Sequence, residues 1–483
     1  MAAINDLRDF VKAVDEIGEL RRVRDVDRDE IGAITTMSGA MKPPPAILFD
    51  RIKGYKPNYG VLVNPLASMK RCSLIHGISD KLEGSKLVEE WKSKISKYTP
   101  IPPQQVPNGP VKENIFTGKD VNLQALPNIK WHPLDFLPYI GSYPAVIMKD
   151  VETGFVNIGT YRVCAYDNQT LGMHLAIGHD GQVIRDRYWE RGMAAPVAIC
   201  LGFDPWVADA SSVDLGWGES EYDYAGWLRG KPIEVVKGEF TDLPIPANAE
   251  AVIEGEIPPP SVEPLRIEGP WGEADGYYSK GFPGPVVKVK SLCYRDDPII
   301  LGCTNGPPPM RGYILPPTNR LRAAARGWLK LEKLGLPGIR GIGFAGPFMV
   351  CSVAQAYPGH VRRIIDALMG GLVGTRPPAL LIMVDDDIDP WNVQEVFWAL
   401  RTRFDPADQT SITKNVYCSI FNPRVWTPEM TQTPLERAAI ASSLILDACK
   451  PFKWKDDFSK VIGDVQPELK QTLRTKWQEA MKW

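Results

Sequence analysis

The sequence predicts a multidomain protein of mixed α+β and α/β class. Three observations carry that expectation. The chain has 483 residues, 44% apolar and 24% charged, enough for two or three ordinary globular cores. Residues 115–300 read as short β-rich runs divided by turn signals, the spacing of an antiparallel barrel or sandwich. Residues beyond 316 read as strands alternating with helices, the mark of a βαβ-type region.

Taken in order, the opening MAAINDLRDFVKAVDEIGEL places Leu7, Phe10, Val11, Val14 and Ile17 at helical spacing and lacks the basic and apolar regions of a targeting signal. RRVRDV and AILFDRI follow as strands and LVEEWKSKISKY as a helix. The Pro-rich piece at 99–111 closes a first domain, 1–112. AVIMKD, FVNIGTYRVCAY, TLGMHLAI, PVAICLGF and PVVKVKSLCYR are strands of a middle domain, 113–315, with a turn at 167–169. The Pro-rich GPPPMRGYILPP ends it. In the third domain, 316–483, the helix NRLRAAARGWLKLEKLG precedes the strand FMVCSVAQA. The helix HVRRIIDALMGG, with Val361, Ile364, Ile365 and Leu368 on one face, then leads to the strand ALLIMV and the helix WNVQEVFWALRTRF. A last helix, rich in Trp, Lys and Glu, covers either a partner subunit or its own domain.

Composition narrows the function. Lys+Arg 56 against Asp+Glu 58 gives a net charge of −2 with no basic run to track a phosphate backbone, so nucleic acid is not an expected partner. No run of about 18 apolar residues predicts a membrane span. The eight scattered cysteines, with no CxxC pair, predict reduced thiols and a cytoplasmic protein, in which the sequon at Asn168 is idle.

Several conspicuous signals point elsewhere than to function. Gly341, Gly343 and Gly346 match GxGxxG, but Pro347 and an apolar run follow, so no helix N-terminus is predicted to meet a phosphate. The acids Asp385, Asp386, Asp387 and Asp389 close a strand without the Gly and distal Glu of a calcium loop. They read as a solvated strand end, with Asp389 an N-cap before Pro390. His76, His132 and His360 stand alone and read as structural.

Three segments place unlike polar groups where strands carry plain alternation: Asn157 to Arg162, Gly178-His179, and Glu219 to Tyr224. Asn157 and Arg162 fall on opposite faces of a regular strand, so only a kink at Gly159 brings them to one pocket. An amide oxygen, an imidazole and a carboxylate suit a hard divalent ion such as Mn²⁺ or Mg²⁺. An Arg–Glu surface pair and a satisfied core His explain the same residues.

The stretch EGPWGE then sets Glu268 and Glu273 at the two ends of a compact turn. In an apolar pocket with one Arg, the paired acid stays ionised, and the other, desolvated beside like charge, keeps its proton near neutral pH. Two exposed turn acids are the alternative.

The series VNIGTYR, LGMHLAIGHD, ESEYDYAGWLRGKP, EGPWGEADGYYS with PVVKVKSLCYRDDPI, and MVDDDIDPWNVQEVFWALRTRFDP resembles the UbiD family of prenylated-FMN-dependent decarboxylases, in order across residues 5–450. The resemblance implies a UbiD-like fold: an N-terminal α/β domain, a central split β-barrel of flavin-reductase type that holds the cofactor, and a C-terminal α/β oligomerisation domain. It implies a reversible, non-oxidative decarboxylase of an aromatic, heteroaromatic or α,β-unsaturated acid, in which cofactor and substrate become covalently joined.

Residue by residue, the resemblance assigns the divalent ion to Asn157, His179 and Glu221, and K⁺ to Ala210, Ser211, Val213 and Glu221. Prenylated FMN falls to Asn157, Gly159, Thr160, Tyr161, Arg162, Gly178, His179, Ser211, Ser212, Val213 and Glu221. It assigns catalysis to Arg162, Glu268 and Glu273, with Glu273 the proton donor, and makes His174 a lesser ligand candidate than His179. A UbiX-like flavin prenyltransferase is implied as cofactor supplier, and a homodimer or homohexamer as the assembly. Ser443 stands where many members carry Lys near the phosphate. Ala274, Leu175 and the loop from Cys303 to Arg311 are the implied substrate side. An FMN-binding split-barrel flavin reductase without decarboxylase activity, in which the Glu268–Glu273 pair has no role, is a second reading, and a non-catalytic assembly subunit that binds no flavin a third.

Overall fold

The computed structural model describes residues 4–213, 215–307, 316–372, 377–418, 422–425, 440–462 and 467–482. The first helix, Leu7–Glu16, is capped by Asp6, which accepts from the Asp9 N–H, and it buries Leu7, Phe10, Val11 and Val14 as its spacing predicts. Strands Leu20–Arg24, Ala46–Asp50 and Gly60–Val63 form a four-stranded sheet completed by Ile299–Gly302, which pairs parallel to Gly60–Val63. The chain thus returns to its N-terminal sheet after crossing the middle region.

The main sheet of the middle region has nine strands; Pro244–Pro246, Glu234–Lys237 and Gln104–Gln105 form a separate three-stranded sheet, and Arg266–Glu268 with Phe282–Gly284 a two-stranded ribbon. The main sheet's path runs Tyr139–Gly141, Val163–Ala165, Thr170–Met173, Val286–Tyr294, Ala251–Ile257, Ala195–Cys200, Ala145–Lys149 and Val156–Gly159, with Asn114–Thr117 beside Val286–Tyr294. Its pairings are antiparallel, and among the described residues none joins Tyr139–Gly141 to Val156–Gly159, so the barrel is not closed. Yet Val156–Gly159 at one edge and Val163–Ala165 beside the other are separated by only Thr160, Tyr161 and Arg162. Four extended steps reach about 14 Å at most. The sheet must therefore curl until its margins nearly meet around a core that includes Val146, Val163, Leu171, Ile199 and Ile253. Residues 160–162 cross the split.

In the C-terminal region the strand order is Ile339–Ala345, Phe348–Val353, Leu380–Asp385, Ile440–Ala448, Thr410–Tyr417. The GxGxxG glycines lie on a hairpin between the first two, where no helix follows. The acidic run departs from expectation. Asn392, not Asp389, caps helix Val393–Arg403, accepting from the Gln394 and Glu395 N–H groups, while Asp389 accepts from Trp391 N–H and the Ser85 hydroxyl. Nor is the strand end simply solvated, because Arg403, from the last helical turn, pairs with Asp385 at 2.8 Å and Asp387 at 2.6 Å. Among the described residues no helix is long and apolar enough to cross a membrane.

Candidate active site

At Gly159 an added Cβ would stand 2.4 Å from the Tyr161 ring, so the turn into the split requires glycine. The strand breaks there, which frees Asn157 and Arg162 from alternation. Glu268 ends the strand Arg266–Glu268, paired with Phe282–Gly284. Glu273 sits on a narrower continuation of that ribbon, its N–H donating to the Tyr277 carbonyl at 2.8 Å and the Ser279 N–H donating to Trp271 at 2.8 Å.

The two acids meet on one guanidinium. Arg162 donates from Nε to Glu268 Oε1 and from Nη2 to Glu268 Oε2, both at 2.8 Å, and from Nη1 to Glu273 Oε1 at 2.5 Å. The Tyr139 hydroxyl donates to Glu268 Oε1 at 2.6 Å, its ring packed on Trp271. Arg162 is 8% exposed, Glu268 0% and Glu273 4%, which rules out two solvent-facing turn acids.

The shared cation divides the acids' proton affinities. Burial alone would raise Glu268, but the charge and hydrogen bonds of Arg162 outweigh it and hold this carboxyl below its ordinary range. Glu273 is raised, because burial, with the charge of Glu268, outweighs the charge and the single hydrogen bond of Arg162. His174 Nδ1 lies 3.6 Å from Glu268 Oε2, and its Nε2 is buried with no hydrogen-bond partner. Burial and then the charge of Arg162 lower His174 to about 3, so its ring is neutral.

Beside this network, Asn157 Nδ2 donates to Glu221 Oε1 at 3.3 Å, and the Ile158 N–H donates to Glu221 Oε2 at 2.8 Å. Asn157 Oδ1 is buried and unpartnered, and burial pushes Glu221 up to about 8. An orphaned amide oxygen next to a buried carboxylate is the chemistry of a hard-cation ligand pair. His179 caps helix Asp180–Glu190, its ring edge-on to Tyr161 at 6.3 Å. Among the described residues no three His, Cys, Asp or Glu side chains form a metal cluster; the donor set here depends on the amide.

Residues 11–91, 104–308 and 341–448 match, in that order, the N-terminal, Rift-related and C-terminal domains of 3-octaprenyl-4-hydroxybenzoate carboxy-lyase. The chain belongs to the UbiD family. It is, with that family, a carboxy-lyase. An uncharacterised protein of Aquifex aeolicus is 31% identical across 98% of each chain. The phenolic acid decarboxylase of Streptomyces sp. (strain D7) is 29% identical across 93% of each. The vanillic acid decarboxylase of Sedimentibacter hydroxybenzoicus, in closed form, superposes over 100% of both chains with TM-score 0.84 and 27% identity.

Other residues that the UbiD resemblance singles out fall into three groups. Thr160 Oγ1 lies 3.1 Å from Ser211 Oγ, joining the split to the segment of Ala210, Ser211, Ser212 and Val213. That segment follows Asp209, where Arg322 donates to the carboxylate and His76 Nε2 lies 3.1 Å away, so all three regions of the chain meet under it. Tyr161 turns its side chain into the core, its hydroxyl accepting from the Gly181 N–H at 3.1 Å. Gly178 lies against Tyr417, whose hydroxyl donates to the Ile177 carbonyl at 2.9 Å, tying the C-terminal sheet to the loop before His179. Ser443 is buried in its strand opposite Thr413. Leu175 packs in the barrel core, Ala274 is half-buried, and Arg311 lies outside the described residues.

Sequence reasoning missed Tyr139 and the place of His174. A tyrosine in an apolar strand carries no pattern to mark it, whereas His174, one residue past a strand and five before His179, was a visible signal read only as a weaker ligand.

Proposed function

We propose that the protein is a prenylated-FMN-dependent, reversible decarboxylase of an aromatic, heteroaromatic or α,β-unsaturated carboxylic acid. The observation that carries the reading is the buried Arg162 shared by two acids of unequal proton affinity. The substrate is read as an aromatic acid bearing a hydroxyl, on the strength of the phenolic and vanillic acid decarboxylases to which the chain is similar.

A guanidinium has five N–H donors, and three here serve Glu268 and Glu273, which leaves two to orient a substrate carboxylate. Glu268 keeps Arg162 charged and fixed. Glu273 holds the proton that replaces CO₂ on the substrate carbon. Loss of CO₂ from such an acid leaves an electron pair that no side chain here can take up, and prenylated FMN, when bound, supplies that sink. Asn157, His179 and Glu221 would hold a Mn²⁺ or Mg²⁺, which would offset the charge of the cofactor's phosphate, and Ala210, Ser211, Val213 and Glu221 would hold a K⁺. Gly159, Thr160, Gly178 and Ser212, around the split, would lie along the cofactor.

The domains divide at 112 and 315 in this reading, and a UbiX-like flavin prenyltransferase supplies the cofactor. Exposed Ile412, Ile440, Phe397 and Trp398 suit a homo-oligomer, and eight free thiols, Cys418 partly buried and the rest buried, suit the reducing cytoplasm. The test is co-production with a flavin prenyltransferase, followed by an ultraviolet–visible spectrum and a screen of aryl, heteroaryl and cinnamic-type acids for CO₂ release. A bound modified flavin and release from at least one acid are expected; flavin-loaded protein that instead oxidises NAD(P)H and releases no CO₂ overturns the reading.

A further inference from the structure

Gly272, the residue before Glu273, is held at both of its peptide groups. Its N–H donates to Asp135 Oδ1 at 3.3 Å, and its carbonyl accepts from Asn305 Nδ2 at 2.9 Å. Both holders converge on His132. Nε2 lies 2.7 Å from the Asn305 carbonyl and 2.8 Å from Thr304 Oγ1, and Nδ1 lies 3.4 Å from Asp135 Oδ1. The ring also occupies the space that Gly272 leaves open, since an added Cβ would stand 2.5 Å from His132 Cε1. Asp135 is fixed in turn by the Trp131 and His132 N–H groups at 3.1 and 2.8 Å.

His132 Nδ1 is buried without a hydrogen-bond partner, and Asp135 Oδ1 at 3.4 Å is the acceptor beside it; a carbonyl and a carboxylate can only accept, so a neutral imidazole can serve one of them and an imidazolium both. Asp135 and Glu273 are the acids whose charge reaches the ring; Thr304, Asn305 and Trp271 are neutral, and Tyr278 meets it by its ring at 6.0 Å. Burial opposes the charged form, but Asp135 and then the Asn305 carbonyl raise His132 above its ordinary 6.5, and Glu273 adds to this once it has given up its proton.

We propose that His132 is a positioning residue of the active site: as an imidazolium it clamps Asp135 and Asn305 onto the two peptide groups of Gly272, and so fixes the Glu273 carboxyl against Arg162. The proposal rests on the reading of Glu273 as proton donor. Misplacing a reacting group by 1 Å costs about 10²-fold, so the clamp acts on turnover more than on substrate binding.

Two measurements test it. In the cofactor-free chain, ¹⁵N NMR of the histidine rings, with His132 assigned by its loss in His132→Asn, is expected to show a doubly protonated ring at pH 7 whose titration moves to lower pH in Glu273→Gln, because coupling is reciprocal. In cofactor-loaded enzyme, His132→Gln is expected to lower kcat about 10- to 100-fold with KM nearly unchanged, and to flatten the alkaline fall in kcat; Asp135→Asn should do the same. A neutral ring at pH 7, a titration indifferent to Glu273→Gln, or wild-type kcat and pH profile in the variants overturns the clamp. If loaded wild-type protein decarboxylates no acid, the functional reading fails while the NMR result still decides whether His132 is charged and coupled to Glu273.

Discussion

Glu268 and Glu273 share the Arg162 guanidinium unequally, two hydrogen bonds of 2.8 Å to the first and one of 2.5 Å to the second. Tyr139 widens the difference by donating to Glu268 alone. One acid is thereby held below its ordinary proton affinity while the other lies above it, five residues apart on the same ribbon.

That division fixes how stability depends on pH. Glu268 lies below its ordinary 4.5, so its contribution is complete above that value and is lost as pH falls through the folded-state value. Glu273 lies above 4.5, so its contribution is complete below that value and is lost as pH rises through the folded-state value. Glu273→Gln, neutral at every pH, is therefore expected to gain thermal stability relative to wild type between pH 5 and pH 8. Each tenfold displacement of affinity is worth about 1.4 kcal/mol. Melting curves at the two pH values check this, and a constant gap counts against the raised carboxyl.

Tyr139→Phe keeps the ring on Trp271 and removes only the hydroxyl that meets Glu268. A hydrogen bond to a buried charge is worth about 1.5–3 kcal/mol. The variant is expected to unfold at lower denaturant by that amount near neutral pH, with a smaller loss as acid protonates Glu268 and removes the charge the hydroxyl meets.

Asn157 Oδ1 is buried without a hydrogen-bond partner, next to the buried Glu221 carboxylate that its amide nitrogen meets. Asn157→Ala and Glu221→Gln are expected to copurify with roughly tenfold less divalent metal than wild type, in the range that weakened coordination produces. They should lose flavin in parallel. Elemental analysis alongside flavin absorbance decides it; metal content equal to wild type would place the ion elsewhere.

Gly159→Ala drives a Cβ to within 2.4 Å of the Tyr161 ring, which is pinned by Gly181. Overpacking of this kind costs about 1–3 kcal/mol. The expected outcome is a lower melting temperature together with lost turnover, since Arg162 lies three residues on.

What could be read locally was legible. Leu7 to Val14 repeat at helical spacing and form that helix. The spacing of Glu268 and Glu273 hinted that two acids meet, but the expected turn at 269–272 runs along the ribbon and the chain reverses at 274–276 instead; that Arg162 joins them from 106 and 111 residues away came only from the family resemblance. Long-range pairing left no such trace: Ile299–Gly302 looks like any short strand, and nothing near it says that it completes the N-terminal sheet. The acidic run was misread because its neutralising Arg403 arrives 16 to 18 residues later, at the end of a helix, and because Asn392 stands as a rival cap three residues past Asp389. Tyr139 and His132 act through tertiary contacts with the acid hairpin, and only the fold reveals them.

The most direct measurement is the rate of CO₂ release by Glu273→Gln, produced with a flavin prenyltransferase and compared with wild type at equal flavin content. The account predicts a fall of about 10²–10⁴-fold, the contribution of a positioned general acid, with the cofactor still bound. Release at the wild-type rate would show that the proton comes from elsewhere and that the unequal pair on Arg162 is not the catalytic centre.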